Sequence, residues 1–430
     1  MIATLAEMFQ FTFLVRAFAV GALVSVCAAL LGVSLVLKRY SMIGDGLSHV
    51  GFGALAAATA LNAAPLALAI PIVVAAAFLL LRLSENSKIK GDAAIALIST
   101  ASLAVGVVII SQSTGMNTDV CNYLFGSILA MSKNDVYLSI ALSVVVLGLF
   151  IVFYNKLFAI TFDETFAKAS GVRVGVYNML IAFLTAITIV LGMRMMGAML
   201  ISSLIIFPAL SSMRVFKRFR SVTICSALVS IVCFFIGIVI SYLYATPTGA
   251  SVVMINIAAF LLFWAVNGAF KGNARMRRAG AVSLACVLAL ASCGGGKTAD
   301  SGGAIDVIEI KEKMFIAQTN DVYLNPDEYV GKTIKLEGLF KLEPWAGDVE
   351  DRCFVLRYGP GCCGNDGNAG FEVAWDDGRG GADARYPELD AWVEAVGTLK
   401  SYEEDGYPFL YLALSSLNAL DERGAEFVTR

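Results

Sequence analysis

Ser41-Met-Ile-Gly-Asp45-Gly-Leu-Ser-His49-Val-Gly-Phe-Gly53 places an aspartate and the only histidine of a 430-residue chain inside a long apolar stretch. Residues four apart on a helix share a face, so Asp45 and His49 can be aimed at one point. Ionisable groups at membrane depth are costly and mark ion pathways, and imidazole with carboxylate suits transition metals. The same pair can serve as polar glue between helices, with the surrounding glycines permitting close packing. From these residues alone both readings stand.

Working outward, apolar runs of bilayer-crossing length recur near 11–37, 43–61, 65–81, 93–111, 135–154, 176–193, 197–212, 221–244 and 251–269. They predict an all-α polytopic membrane domain of eight or nine transmembrane helices. The short 43–61 and 197–212 segments, both broken by small residues, leave that count open. Basic clusters at Lys38-Arg39, Arg82/Lys88/Lys90, Lys156/Lys168/Arg173, Arg214–Arg220 and Lys271–Arg278 mark the cytoplasmic loops. Nine crossings then place the N-terminus outside and residue 270 inside. Gly197 and Pro208 are expected to interrupt their helix, as where backbone lines a cavity or hinges.

The net charge of −2 is a cancellation. Residues 1–293 hold 19 Lys and Arg against eight acids, and residues 294–430 hold 13 against 26. The chain therefore joins a basic membrane part, +11, to an acidic tail of charge −13. The boundaries read as a membrane domain over 1–270, a signal-like or transmembrane segment over 271–293, a flexible linker over 294–305 and an acidic β domain over 306–430. Within 276–293 a Met, two arginines, a short apolar core and Leu290-Ala-Ser-Cys293 have the layout of a secretory signal. The ending resembles a bacterial lipobox, which would make Cys293 the lipidated residue after cleavage. A tenth membrane helix is the other reading, and either one delivers the tail to the extracytoplasmic side. Ala291–Thr298 mimics a phosphate loop, but an apolar export segment precedes it and linker composition follows, where such a loop requires a strand and a helix.

Several blocks of the membrane part stand in a specific order. They are Arg39-Tyr-Ser-Met-Ile-Gly-Asp45-Gly-Leu-Ser-His49, Asp119-Val-Cys-Asn-Tyr-Leu-Phe-Gly126, Phe162-Asp-Glu-Thr-Phe-Ala167-Lys-Ala-Ser-Gly171, Met196-Gly-Ala-Met-Leu-Ile-Ser202 with Ile206-Phe-Pro208-Ala, and Ala245-Thr-Pro-Thr-Gly249. Together they resemble the permease subunit of bacterial ABC importers for zinc, manganese or iron(II). That resemblance implies a homodimer of permease domains in the bacterial cytoplasmic membrane. It also implies two cytoplasmic ABC ATPase subunits on separate chains, so that this chain is not itself an enzyme. An extracytoplasmic metal-binding protein would deliver the ion. Asp45 and His49 match the family's Asp-plus-His pattern and become the transit ligands for a divalent metal ion carried as substrate, with no stably bound cofactor. A transit site must hold its ion loosely.

In the same family the cytoplasmic loop carrying Asp163, Glu164, Ala167 and Gly171 seats in a cleft of the ATPase. From the residues alone it is a short amphipathic helix ended by glycine, which an ordinary connector can also be. Asp119 is an extracytoplasmic acid that either attracts cations or is merely solvated. Met193, Met195, Met196 and Met199 fall at the outer mouth. Their thioethers can gate soft ions, with Met195 and Met196 the candidates, but methionine more often serves as adaptable packing. Cys27, Cys121, Cys225 and Cys233 read as buried small hydrophobes.

In the tail, alternation at Val307–Lys311, Thr333–Leu339, Cys353–Arg357, Gly370–Trp375 and Trp392–Gly397 predicts short strands with Gly-rich turns. That pattern suits a small OB-like barrel. The strong negative charge argues against nucleic acid as a partner. Cys353, Cys362 and Cys363 allow a disulfide in an oxidising compartment or a thiolate metal site with Asp366. Two other classes compete with metal import: a permease for a metal chelate or other small solute, and a membrane-anchored binding or scaffold protein acting through its barrel.

Overall fold

A computed structural model describes residues 8–9, 11–61, 65–86, 91–112, 131–244, 246–269, 307–344, 351–359, 367–375, 385–404 and 407–428. They divide into a helical unit within the first 269 residues and a strand-rich unit from residue 307 onward. The helices are α1 (Thr12–Leu37), α2 (Ile43–Ala60), α3 (Pro65–Asn86), α4 (Gly91–Gln112), α5 (Lys133–Val152), α6 (Tyr154–Phe162), α7 (Glu164–Ala169), α8 (Val174–Met196), α9 (Ala198–Val215), α10 (Phe219–Tyr244) and α11 (Thr248–Ala269). Every expected span is occupied by one of them. Among the described residues seven helices, α1, α4, α5, α8, α9, α10 and α11, are long and apolar enough to cross a bilayer, and α3 contributes a shorter apolar segment.

Burial sorts these helices. The apolar window of α1 is 67% buried inside the unit and that of α4 only 17%, so α1 is an inner helix and α4 an outer one. Val105 and Val108 on α4, Ile151 and Val152 on α5, and Leu261 and Trp264 on α11 are exposed in the single chain, as side chains facing lipid should be. Between helices, where hydrocarbon outside is as apolar as leucine inside, small residues and hydroxyls do the joining. Ser230 Oγ of α10 donates to the Ser25 carbonyl of α1 at 3.0 Å, and Ser226 Oγ to the Ala29 carbonyl at 3.3 Å. Cys27 and Cys233 are buried among such contacts and Cys225 partly so, all as free thiols; Cys121 lies outside the described residues.

Two expectations need correction. Gly197, at φ +85°, does separate α8 from α9, but α9 runs unbroken through Pro208. Proline removes one backbone donor, and a buried helix supported by its neighbours can absorb that loss. The cytoplasmic loop over 155–176, expected to hold one short helix, carries a second, α6, which begins immediately after α5. Phe219, at the start of α10, gathers Tyr154, Phe158 and Phe162 of α6 at centroid distances of 5.6, 5.2 and 5.9 Å. That aromatic cluster turns a sequence of connector length into a packed helix.

In the second unit the strands are β1 (Val307–Ile310), β2 (Thr333–Pro344), β3 (Asp351–Gly359), β4 (Gly367–Trp375), β5 (Trp392–Glu404) and β6 (Tyr407–Ala419), with helix α12 (Phe315–Leu324) between β1 and β2. Their pairing closes on itself. β2 pairs β3, β3 pairs β4, β4 lies parallel to β6, β6 pairs β5, and β5 returns to β2, while β1 runs parallel beside β2. Inside this ring sit Phe315, Ile334, Phe340, Val355, Phe371, Val393 and Leu412. Five strands match the alternating segments; β6 and α12 were not anticipated. β6 carries Pro408 and a continuous apolar run instead of alternation, which hides it from a period-two reading.

Arg357 crosses this core with a side chain only 2% exposed. Its Nε donates to the Glu337 carbonyl at 2.7 Å, Nη1 meets Glu312 Oε2 at 3.0 Å, and the guanidinium stacks 4.7 Å from the Trp392 ring. A buried guanidinium is tolerated because it is paired and its donors are satisfied.

The close approaches of the helical unit give one prediction. A β-carbon on Gly53 of α2 would meet the Ser102 carbonyl oxygen of α4 at 2.7 Å, whereas one on Gly148 of α5 meets nothing within 4 Å. Gly53→Val is expected to lower stability by about 1–3 kcal/mol, and Gly148→Ala to leave it level or raise it by roughly 0.5–1 kcal/mol. Thermal melting of the detergent-purified protein measures both. The second prediction concerns the barrel. The Arg357 hydrogen bond, assisted by the Ala425 amide, holds the Glu312 carboxyl below its ordinary value of 4.5. A lowered carboxyl contributes stability above that value and loses it as the pH falls through the folded value. Glu312→Gln should therefore flatten the acid limb of the barrel's stability profile, read by tryptophan fluorescence, and lower the plateau at neutral pH.

Candidate functional site

The site is built from the turn between α1 and α2. Tyr40 N–H bonds the Leu35 carbonyl at 2.8 Å and Arg39 N–H the Val36 carbonyl at 3.1 Å, closing α1 with the double bond of a Schellman end. The residue at its left-handed position is Arg39, φ +64°, where glycine is the usual occupant. A side chain there costs on the order of 1 kcal/mol, and such strain is retained where surrounding structure demands it. The turn starts α2 at Ile43 and puts Asp45 in its first turn, where the helix dipole favours a carboxylate.

Glycines then fix how α2 is rotated. Gly44 approaches Ile205 of α9 and Gly51 approaches Met193 of α8, while Gly46 and Gly53 approach Ile95 and Ser102 of α4. Each pair is seven residues apart, so two glycine seams run down two sides of the helix. The strip between them carries Asp45 and His49. Their side chains are 48% and 20% exposed, and His49 Nε2 lies 3.8 Å from Asp45 Oδ2. That separation is too long for a hydrogen bond. It suits two donors sharing one ion at about 2.1 Å each. His49 Nδ1 is buried without a hydrogen-bond partner among the described residues. Among the described residues no group of three or more His, Cys, Asp or Glu is placed to hold a metal.

The methionines separate by position. Met193, Met195 and Met196 are buried and Met199 is half exposed. Met193 fills the notch at Gly51, and Met195 Sδ accepts from Ser139 Oγ at 3.3 Å. Both are engaged in packing between helices, the ordinary role of methionine. Asp119, Cys293, Cys362, Cys363 and Asp366 lie outside the described residues. Cys353 is a free thiol on β3, in the barrel core. Burial pushes its pKa up against the opposing Tyr386 hydrogen bond, which makes it a poor thiolate.

At this same C-terminal end of α1, Asp163 caps α7, its Oδ1 accepting from Phe166 N at 2.9 Å. Gly171, φ +81°, ends the turn, with Val172 N–H returning to the Ala167 carbonyl at 3.0 Å. Ala167 is buried, and Phe166 projects with 68% of its surface exposed. Glu164, half exposed, reaches back to α1. Lys38, at the end of α1 and only 7% exposed in its side chain, meets Glu164 Oε1 at 2.6 Å. Neither the role of Lys38 nor the exposure of Phe166 is legible in the sequence: an isolated lysine in a basic cluster and a phenylalanine on a short helix carry no signal.

A bundle of apolar helices, seven of them long enough to cross a bilayer among the described residues, has the architecture of a polytopic membrane protein. The chain belongs to the ABC 3 transport family, whose model matches residues 10–267. Residues 296–427 match a second model, described as the DUF1980 C-terminal domain. The manganese transport system membrane protein MntC of Halalkalibacterium halodurans is 27% identical over 60% of this chain and 88% of its own length. The high-affinity zinc uptake system membrane protein ZnuB of Haemophilus influenzae is 29% identical over 59% of this chain and 97% of its own. Among solved structures, PsaBC from Streptococcus pneumoniae in complex with Fab is 29% identical, with a TM-score of 0.57, over 61% of this chain and 95% of that one. These likenesses cover the helical unit and make it the membrane-embedded permease of a transporter.

Proposed function

We propose that the helical unit imports a divalent transition metal ion, manganese, zinc or iron(II), with Asp45 and His49 as its transit ligands. The observation that carries this reading is the 3.8 Å Asp45–His49 pair on the strip between two glycine seams. A carboxylate half exposed in the single chain must face water or a partner when it lies among apolar helices. A second copy of the permease, facing the first across that strip, supplies both. Two oxygen and two nitrogen donors would then surround the ion loosely. The unpartnered Nδ1 of His49 fits such a site, because tight sites usually orient the second ring nitrogen with a fixed acceptor.

Energy comes from ATPase chains in the cytoplasm, seated on α7 through the exposed Phe166, and the ion comes from an extracytoplasmic binding protein. The names of the manganese and zinc relatives support the cargo, and the family supports the ATPase. In the same reading the chain sits in a bacterial cytoplasmic membrane. The acidic barrel stands on the extracytoplasmic side, fused to the permease or released as a lipoprotein at Cys293, and takes no nucleic acid.

Two outcomes are expected. Asp45→Ala with His49→Ala should lower cellular accumulation of radioactive manganese or zinc by at least about tenfold, while the protein still reaches the membrane and still binds its ATPase. Uptake of both metals at the wild-type rate would overturn the assignment. Phe166→Glu should abolish co-purification of the ATPase and leave the melting temperature of the permease unchanged, since an exposed side chain is replaced. Retained co-purification would show that α7 is not the ATPase seat.

A further inference from the structure

Lys38, Glu164 and Asn178 form a closed triangle joining three elements that are far apart in sequence. The Lys38 ammonium donates to Glu164 Oε1 at 2.6 Å and to Asn178 Oδ1, and Asn178 Nδ2 donates back to Glu164 Oε1 at 3.3 Å. Lys38 caps α1, Glu164 opens α7 and Asn178 lies in the first turns of α8. The Lys38 side chain and Asn178 are each 7% exposed while Glu164 is half exposed, so removing the carboxylate would leave a largely buried ammonium without its counter-charge.

The position of the triangle matters more than its strength. Lys38 adjoins Arg39, the left-handed residue of the turn, and α2 follows with Asp45 seven residues beyond Lys38. That turn is tightly bonded within itself, with Ile43 N–H on the Tyr40 carbonyl and Gly46 N–H on the Met42 carbonyl. A displacement of Glu164 therefore moves the end of α1 and the first turn of α2 as one piece. Through Asn178 it also moves α8, whose far end lies against Gly51 of the same α2.

We propose that Lys38 is the positioning residue that carries motion of α7 into the Asp45–His49 strip, with Glu164 and Asn178 completing the linkage. The proposal rests on α7 being the ATPase seat. Its chemistry predicts an unusual symmetry. Asn178 presents one acceptor and one donor, so it can serve the pair with its charges exchanged.

The test uses the full chain with its ATPase, reading ATPase co-purification, ATP hydrolysis and metal uptake for Lys38→Gln, Glu164→Gln and the exchange Lys38→Glu with Glu164→Lys. Lys38→Gln should keep ATPase association within about twofold and continue to hydrolyse ATP, yet lose at least about tenfold in uptake per ATP consumed, and Glu164→Gln should lose that ratio to a similar extent. The exchanged pair should recover most of that ratio, which a merely structural role in folding would not predict. Lys38→Arg, which keeps charge and donors, is expected to couple well even if Lys38→Gln accumulates poorly. Wild-type uptake per ATP in both single variants would overturn the linkage, as would an exchange no better than either single change. So would association lost in step with uptake, because Glu164 would then be acting at the ATPase surface. Failure of the underlying seat is separately visible, as Phe166→Glu that still binds the ATPase.

Discussion

A peptide group in hydrocarbon has no water to bond, so each segment of this chain within the membrane must satisfy its own backbone, and helices are the form that does so. Everything distinctive about the helical unit follows from how such self-contained rods can then be joined. With no hydrophobic gain from helix contact in lipid, close approach and hydroxyl bonding have to supply the specificity. The Ser230–Ser25 and Ser226–Ala29 bonds join α10 to α1 in this way, and the glycine seams join α2 to α4, α8 and α9.

Those seams have a consequence for chemistry. A helix clamped along two sides cannot rotate, so whatever lies on its third side is presented in one orientation. On α2 that side carries Asp45 and His49, four residues apart and 3.8 Å between donor atoms. Orientation is thus provided by residues with no side chain, while the two that bear functional groups lie on the strip between them, Asp45 half exposed and His49 largely buried. A cargo site needs that combination: held geometry with few partners, so that an ion can enter and leave.

Much of this was legible in the sequence. Apolar run lengths gave the helices, and the order of motif blocks gave the family. Gly171 marked the end of the short helix α7 because left-handed termination is a local effect carried by the residue itself. Alternation revealed five strands of the barrel. Pro208 misled because proline in isolation reads as a break, whereas a supported helix accommodates it. α6 was missed because its helical state depends on Phe219, far along the chain. β6 was missed because its run from Tyr407 to Leu414 is apolar without alternation and contains Pro408.

The sequence by itself determined the division into a basic membrane part and an acidic tail, the approximate ends of the helices, and the fact that Asp45 and His49 share a face. These follow from composition and from periods of a few residues, which any short window contains. Only the tertiary structure decided which face that was, that Met193 and Met195 pack between helices, that the barrel strands close into a ring, and that Lys38 finds Glu164 and Asn178. Each of those depends on contacts between residues tens to more than a hundred positions apart. No local pattern encodes such contacts; they arise when burial, close packing and charge pairing are satisfied for the whole unit at once.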